Sequence, residues 1–103
     1  KRQANVDEAI ASLRTALANE TTSSMGYRQL AAGYARKADI VKGQARQQLL
    51  AQAELASAEA YFYEGQLKLA KEQAKRAKVG LLNGSPNWFK ADDILTFKVP
   101  TTN

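Results

Sequence analysis

Histidine and cysteine are both absent from the 103-residue sequence. Their absence excludes the zinc sites built from these two residues, the serine and cysteine nucleophile systems that need an imidazole, and any disulfide bond. Gly80 and Gly84 stand apart and do not form a phosphate-binding loop. We therefore expect no catalytic residue, no metal and no cofactor in this chain.

Glycine and proline are scarce as well, with six and two residues respectively. A small β-sandwich or barrel needs more turn residues than this. Alanine dominates the apolar residues and few are β-branched, which favours helices over strands. No apolar run approaches the roughly 20 residues of a membrane-spanning helix. The predicted fold class is all-α.

Apolar side chains recur at helical spacing in successive segments of the chain. The predicted helices run from about Val6 to Leu17, Tyr27 to Ala38, Val41 to Glu64, Leu67 to Leu81 and Pro86 to Leu95. Asn5 is the predicted N-cap of the first helix, the run Thr21–Ser24 offers the second, and Ser85 caps the last. Asn83-Gly84 is expected to end the fourth helix.

The small and bulky residues also follow the pattern of tetratricopeptide repeats, which are about 34 residues long. Tyr34 and Tyr61 take matching aromatic positions, and small residues such as Ala9, Ala31 and Ala74 occur in phase with them. Because Tyr34 and Tyr61 are only 27 residues apart, one long helix from Val41 to Glu64 must serve two repeats. The pattern predicts a stack of antiparallel helical hairpins, with a generic alanine-rich bundle as the alternative.

This prediction divides the chain into consecutive units within a single domain. Residues 1–23 form the second helix of a partial repeat, residues 24–50 and 51–84 form two repeats, residues 85–97 form a capping helix, and residues 98–103 form a frayed tail. Trp88 is expected to cover the apolar end of the stack, since a terminal repeat must hide its last apolar face.

The C-terminal third carries a more specific pattern: Gly84-Ser85-Pro86, Trp88, Lys90-Ala91 and Asp93-Ile94-Leu95 follow a helix pair rich in small residues. The segment from Leu30 to Arg36 adds a Leu-Ala-x-x-Tyr-x-Arg motif. Together these segments resemble the C-terminal repeat region of bacterial periplasmic zinc metallopeptidases that carry tetratricopeptide repeats. The resemblance covers residues 6–95, with an apparent insertion in the region 42–52.

The resemblance implies an upstream protease domain with an H-E-x-x-H motif, whose histidines bind zinc and whose glutamate acts as the base. It also implies a periplasmic location and a role in envelope protein quality control. The repeats would dock substrates, partner proteins or the parent's own protease domain. The chain begins Lys-Arg-Gln without an initiator methionine or a signal-peptide core, so we expect it to be part of a longer protein.

The repeat register also predicts a protein-binding surface on the inner side of the helix stack. Its candidate residues are Arg28, Arg36, Leu55, Glu59, Phe62 and Tyr63. Aromatic and arginine side chains are favoured anchors at interfaces. Among these six, Tyr63 is the preferred contact residue, whereas Phe62 is equally compatible with the core.

A stripe of lysines follows one face of the fourth helix: Lys68, Lys71, Lys75 and Lys78. With a net charge of +5, this stripe raises the alternative of a cationic nucleic-acid-binding domain. A solvated face is favoured instead, because no aromatic residue interleaves with these lysines to stack on bases. A free-standing repeat adaptor or assembly protein is the other alternative to the metallopeptidase context.

Overall fold

The computed structural model describes residues 2–100, and this range folds into five helices. The helices are α1 (Arg2–Asn19), α2 (Ser24–Ile40), α3 (Gly43–Tyr63), α4 (Leu67–Gly80) and α5 (Pro86–Leu95). Residues 2–100 contain no strand, so the predicted all-α fold class is confirmed. Of the predicted tail, residues 98–100 have no regular structure, and residues 101–103 lie outside the described range.

Serine side chains start α2 and α5. The Ser23 hydroxyl accepts a hydrogen bond from the Gly26 N–H at 3.0 Å, and the Ser85 hydroxyl accepts one from the Trp88 N–H at 3.2 Å. Pro86 occupies the first turn of α5, where its missing N–H costs no helical hydrogen bond. These two predicted N-caps are confirmed.

Two predicted helix boundaries are wrong. Because α1 already begins at Arg2, Asn5 lies inside this helix and is not its N-cap. The residues before Asn5 are good helix formers, which lets the helix extend past it. The fourth helix ends at Gly80 rather than at Asn83-Gly84, because Leu81 adopts an extended backbone.

A tight turn at Gly65 reverses the chain between α3 and α4. Gly65 has a φ of +80°, which a residue with a Cβ adopts only with strain. Its N–H donates to the Phe62 carbonyl at 3.1 Å, and the Gln66 N–H donates to the Tyr61 carbonyl at 2.9 Å. These two bonds form a Schellman motif that satisfies the end of α3 and directs α4 back along it.

The long helix α3 takes part in two separate hydrophobic cores. The first core joins α1, α2 and α3, and its buried residues are Ile10, Leu17, Leu30, Ala31, Tyr34, Ala38, Leu49 and Ala56. The second joins α3, α4 and α5, and its buried residues are Leu55, Ala58, Ala70, Ala74, Ala77, Ala91 and Ile94. A single long helix was expected to serve two hairpins, and the predicted unit boundary at 50/51 falls inside it.

The second core is built mainly from alanine. The alanines at positions 58, 70, 74, 77 and 91 are fully buried. Their small side chains let the backbones of the three helices approach closely. Helices α3 and α4 are close at the end of α4, where a Cβ added to Gly80 would lie 2.8 Å from the Ala51 Cβ.

Two lysines of α4 contact α5 and the segment that follows it. The Lys78 ammonium lies 2.7 Å from an oxygen of Asp92, and the Lys71 ammonium donates to the Phe97 carbonyl at 2.6 Å. Both contacts join α4 to α5 and the segment after it.

No helix within residues 2–100 is long and apolar enough to cross a membrane.

Trp88 does not lie in the second core, contrary to its expected role at the apolar end. It is half-buried at the edge of the α4–α5 contact and packs edge-on against Phe89, with ring centroids 5.0 Å apart. The Lys78 ammonium lies 4.4 Å from the centre of the indole. The buried positions of the α4–α5 contact are occupied by alanines instead.

Candidate functional site

An open groove lies between α1 and α5. Helix α1 packs on α2, while α5 packs on α4 and α3, and no Cα atom of α1 lies within 8 Å of a Cα atom of α5. Two adjoining clefts of about 350 and 360 Å³ form the groove. Thr21, Tyr27, Glu59 and Lys90 line both clefts, so they mark the middle of the groove.

The first cleft extends from this middle toward α1. Its other lining residues are Arg14, Leu17, Ala18, Leu30, Tyr34, Gln52, Leu55, Ala56 and Asn87. The second cleft extends toward the segment after α5, and its other lining residues are Phe62, Tyr63, Asp93, Ile94 and Phe97. We call the second one the aromatic cleft, because four of its nine lining residues are tyrosine or phenylalanine.

Glu59 is the acidic group at the middle of the groove. Burial of its carboxyl group disfavours the charged form and raises its pKa to about 7 from an ordinary value of 4.5. The charge of Lys90 and a hydrogen bond with Tyr27 act in the opposite direction but do not offset the burial. Glu59 therefore changes its charge near neutral pH.

Tyr27 stands beside Glu59 at the wall formed by α2. Its hydroxyl donates a hydrogen bond to the Thr21 carbonyl at 3.0 Å. Burial raises the pKa of Tyr27 to about 12, with further contributions from the nearby Glu59 and Tyr63. Tyr27 therefore remains a neutral hydrogen-bonding group at physiological pH.

A continuous row of aromatic rings borders the aromatic cleft. The Tyr27 and Tyr63 rings stack with centroids 5.6 Å apart and an interplanar angle of 19°. Phe62 then meets Tyr63 and Phe97 edge-on, at centroid distances of 5.3 and 5.0 Å. The row runs from α2 across the end of α3 to the segment after α5, and 41% of Tyr63 is exposed.

The charged side chains of the groove are not paired with one another. Within residues 2–100, no ion pair of 4.0 Å or less involves Arg14, Glu59, Lys90 or Asp93. Arg14, Lys90 and Asp93 are exposed to water, whereas Glu59 is partly buried. Of these four groups, Glu59 would therefore gain the most free energy from pairing with an added partner of opposite charge.

Four of the six predicted binding residues line this groove. Glu59 lies at its middle, Leu55 lines the first cleft, and Phe62 and Tyr63 line the aromatic cleft. Leu55 is also 96% buried in the second core, so it shapes the cleft more than it contacts a ligand. The structure thus brings together the predicted residues of α3.

The two predicted arginines lie outside the groove. Arg28 lines neither cleft and forms a bidentate ion pair with Glu64. Its guanidinium also lies 5.2 Å from the centre of the Tyr61 ring. Arg36 is exposed on α2 and lines neither cleft.

The predicted basic stripe is divided by its internal contacts. Lys71 contacts the Phe97 carbonyl and Lys78 contacts the Asp92 carboxylate, and both lysines are partly buried. Lys68 and Lys75 are exposed. Only half of the stripe is therefore presented entirely to solvent.

Sequence reasoning missed the contribution of α5 to the groove. Asn87, Lys90, Asp93 and Phe97 recur at spacings of three and four residues and therefore share one side of α5 and its extension. That periodicity was a usable signal. Tyr27 was predicted only as an apolar residue of the second helix, so its place in the groove was also missed.

The described residues offer no arrangement suited to a metal ion. Residues 2–100 contain no group of three or more His, Cys, Asp or Glu side chains that could hold one. The zinc implied by the resemblance would belong to the expected upstream protease domain.

Comparisons of the chain with protein-family models, with curated proteins and with solved structures find no match.

Proposed function

We propose that this chain is a protein-interaction module that binds an extended or helical peptide segment in the groove between α1 and α5. The observation that carries this proposal is the aromatic cleft, an open cavity of about 360 Å³ beside an exposed tyrosine. Tyrosine and phenylalanine are enriched at the centres of protein interfaces, where they bury large areas at a small cost in conformational entropy. The aromatic cleft could therefore hold an anchoring side chain of a bound peptide.

The shape of the groove also suits a chain segment. Its two clefts adjoin at Glu59 and lie on a surface formed by α2, α3 and α5. A peptide side chain in the aromatic cleft would leave the first cleft available for neighbouring residues of the same peptide. Binding energy would then come from a few anchored side chains, as is common for helical repeat proteins.

For the parent protein, we propose a periplasmic zinc metallopeptidase in which this chain is the non-catalytic C-terminal repeat region. The support is the resemblance of the Leu30–Arg36 and Gly84–Leu95 segments to that family. The groove would dock substrates, partner proteins or the parent's protease domain. Sequencing the gene upstream of the Lys1 codon tests this context. An H-E-x-x-H motif is expected there, whereas an unrelated upstream domain would leave a repeat adaptor.

Selection from a random-peptide phage library on the immobilised 103-residue chain tests the binding function. We expect selected peptides to bind the wild-type chain and to lose about tenfold or more in affinity with Tyr63→Ala, as for an interface hot spot. Phe89→Ala is the matched control, because Phe89 is a similarly exposed aromatic residue that lines neither cleft. Equal losses in both variants, or no selected peptide, would contradict the proposal. Circular dichroism of both variants establishes that the helices are intact.

A further inference from the structure

Glu59 occupies an unusual position for a carboxylate. It lies on α3 at the junction of the two clefts, where it is partly buried. The charged and titratable groups that share the groove with it are Arg14 from α1, Tyr27 and Tyr34 from α2, Tyr63 from α3, and Lys90 and Asp93 from α5. Within residues 2–100, no cation lies within 4.0 Å of Glu59.

The ionised form of Glu59 shares its Tyr27 donor with a backbone carbonyl. The single hydroxyl proton of Tyr27 goes to the Thr21 carbonyl at 3.0 Å. A protonated Glu59 can donate to the oxygen of this hydroxyl, whereas an ionised Glu59 would compete with Thr21 for the proton. A partly buried carboxylate that shares its donor gains from a cation placed beside it.

The surroundings of Glu59 suit a basic side chain. The Tyr27 and Tyr63 rings border the same cavity, and aromatic rings attract cations through their negative faces. Lysine and arginine also have apolar stems that pack against such rings while the charged head reaches a carboxylate. Phe62, Phe97 and Ile94 extend this lining with purely apolar surface.

We propose that the groove recognises a peptide segment in which a basic side chain pairs with Glu59 and an adjacent apolar side chain enters the aromatic cleft. This inference rests on the proposed function, to which it adds the chemistry of the partner. Binding converts Glu59 to its charged form and releases a proton below neutral pH.

An acidic segment is the competing occupant, and it would use Arg14 and Lys90. Both cations are exposed and hydrated, so they gain less from a partner than the partly buried Glu59 does. An acidic group placed in the aromatic cleft would also be repelled by the carboxylates of Glu59 and Asp93. These differences favour the basic segment.

Three capped peptides of the form Ser-Phe-Leu-X-Leu-Phe-Ser, with X as Arg, Gln or Glu, separate the two occupants. Their affinities for the 103-residue chain are measured by NMR titration at about pH 8, where Glu59 is ionised. We expect the Arg peptide to bind about tenfold more tightly than the Gln peptide and the Glu peptide to bind most weakly. Glu59→Gln should remove the difference between the Arg and Gln peptides.

A second variant keeps the test decisive. Lys90→Gln should tighten binding of the Arg peptide, because the only lysine in the groove lining no longer repels it. Looser binding in this variant, with the Glu peptide binding most tightly, would instead establish the acidic occupant and overturn the inference. If the Arg and Gln peptides bind equally well and both lose affinity with Tyr63→Ala, the inference is overturned but the proposed function stands. If none of the three peptides binds, both the inference and the proposed binding of a peptide in this groove are overturned.

The pH dependence provides an independent readout. As the pH falls from about 8 to about 5.5, the Arg peptide must compete with the proton on Glu59, so its affinity for the wild-type chain should fall about tenfold. The Gln peptide and the Glu59→Gln variant should show no such fall. A parallel fall for all combinations would contradict pairing at Glu59.

Discussion

The guanidinium of Arg28 and the carboxylate of Glu64 form a two-point ion pair that joins the start of α2 to the end of α3. The Nε–Oε2 distance is 2.8 Å and the Nη2–Oε1 distance is 2.6 Å. This hydrogen-bonded pairing holds the pKa of Glu64 below its ordinary value. Arg28 is thereby committed to a contact within the fold, on a surface that does not line the groove.

Arg28→Ala should leave peptide binding nearly unchanged, although the sequence nominated Arg28 as a binding residue. We expect the affinity of a phage-selected peptide to stay within about twofold of wild type, as for residues outside a hot spot. Fluorescence anisotropy with a labelled peptide measures it, and Tyr63→Ala in the same assay provides the positive control. A tenfold loss on Arg28→Ala would extend the binding surface beyond the groove.

Gly80→Ala should destabilise the fold by about 1–3 kcal/mol, as overpacking does. The added methyl group would lie 2.8 Å from the Ala51 Cβ and 3.6 Å from the Gln47 carbonyl oxygen, so relief requires α3 and α4 to separate. Gly33→Ala is the matched control, because its new Cβ would meet only the Ile10 side chain, at the longer distance of 3.1 Å, and no neighbouring backbone. Urea unfolding followed by circular dichroism should show a clearly smaller effect for Gly33→Ala. Equal or reversed effects would contradict the close packing of α3 and α4.

Glu59→Gln should change how stability depends on pH. Because the folded-state pKa of Glu59 is raised to about 7, the folded chain retains a proton that the unfolded chain loses above about pH 4.5. The wild-type free energy of unfolding should therefore fall, relative to Glu59→Gln, as pH rises between these values, by up to about 3 kcal/mol. Above about pH 7 the difference should level off.

Urea unfolding at a series of pH values measures this difference. Glu72→Gln serves as the control, since Glu72 is exposed on α4 and lines neither cleft. Its free energy of unfolding should follow the wild-type values across the series. If Glu59→Gln also runs parallel to wild type, the carboxyl group of Glu59 is not desolvated as described.

Lys78→Gln should lower the free energy of unfolding by about 1 kcal/mol, whereas Lys75→Gln should leave it nearly unchanged. Lys78 contacts both Asp92 and the Trp88 ring, while Lys75 is exposed on the same helix. Thermal unfolding of the two variants compares them directly. Equal stability of both would mean that the Lys78 contacts contribute nothing measurable between α4 and α5.

Periodicity and capping predicted much of the fold, because they depend on residues close in sequence. Ser23 and Ser85 cap their helices as expected, and α3 is the single long helix that the spacing of Tyr34 and Tyr61 required. Asn5 was misassigned because a residue suited to capping does not end a helix when good helix formers precede it.

The groove was only partly predictable, because side chains from distant segments form it. Glu59, Phe62 and Tyr63 follow from the repeat register of one helix, and all three line the groove. Whether Lys90 would face them depends on how α5 packs against α3, which local sequence does not specify. For the same reason, sequence alone could not show that Arg28 would be paired with Glu64, 36 residues away.

The most direct test of the central proposal is to map peptide contacts on the isotopically labelled 103-residue chain by NMR. With a phage-selected peptide, we predict intermolecular nuclear Overhauser effects to Tyr27, Tyr63 and Phe97, and the largest shift changes around Glu59 and Lys90. Contacts concentrated instead on the exposed Lys68 and Lys75 of α4, with the groove residues unaffected, would contradict the account.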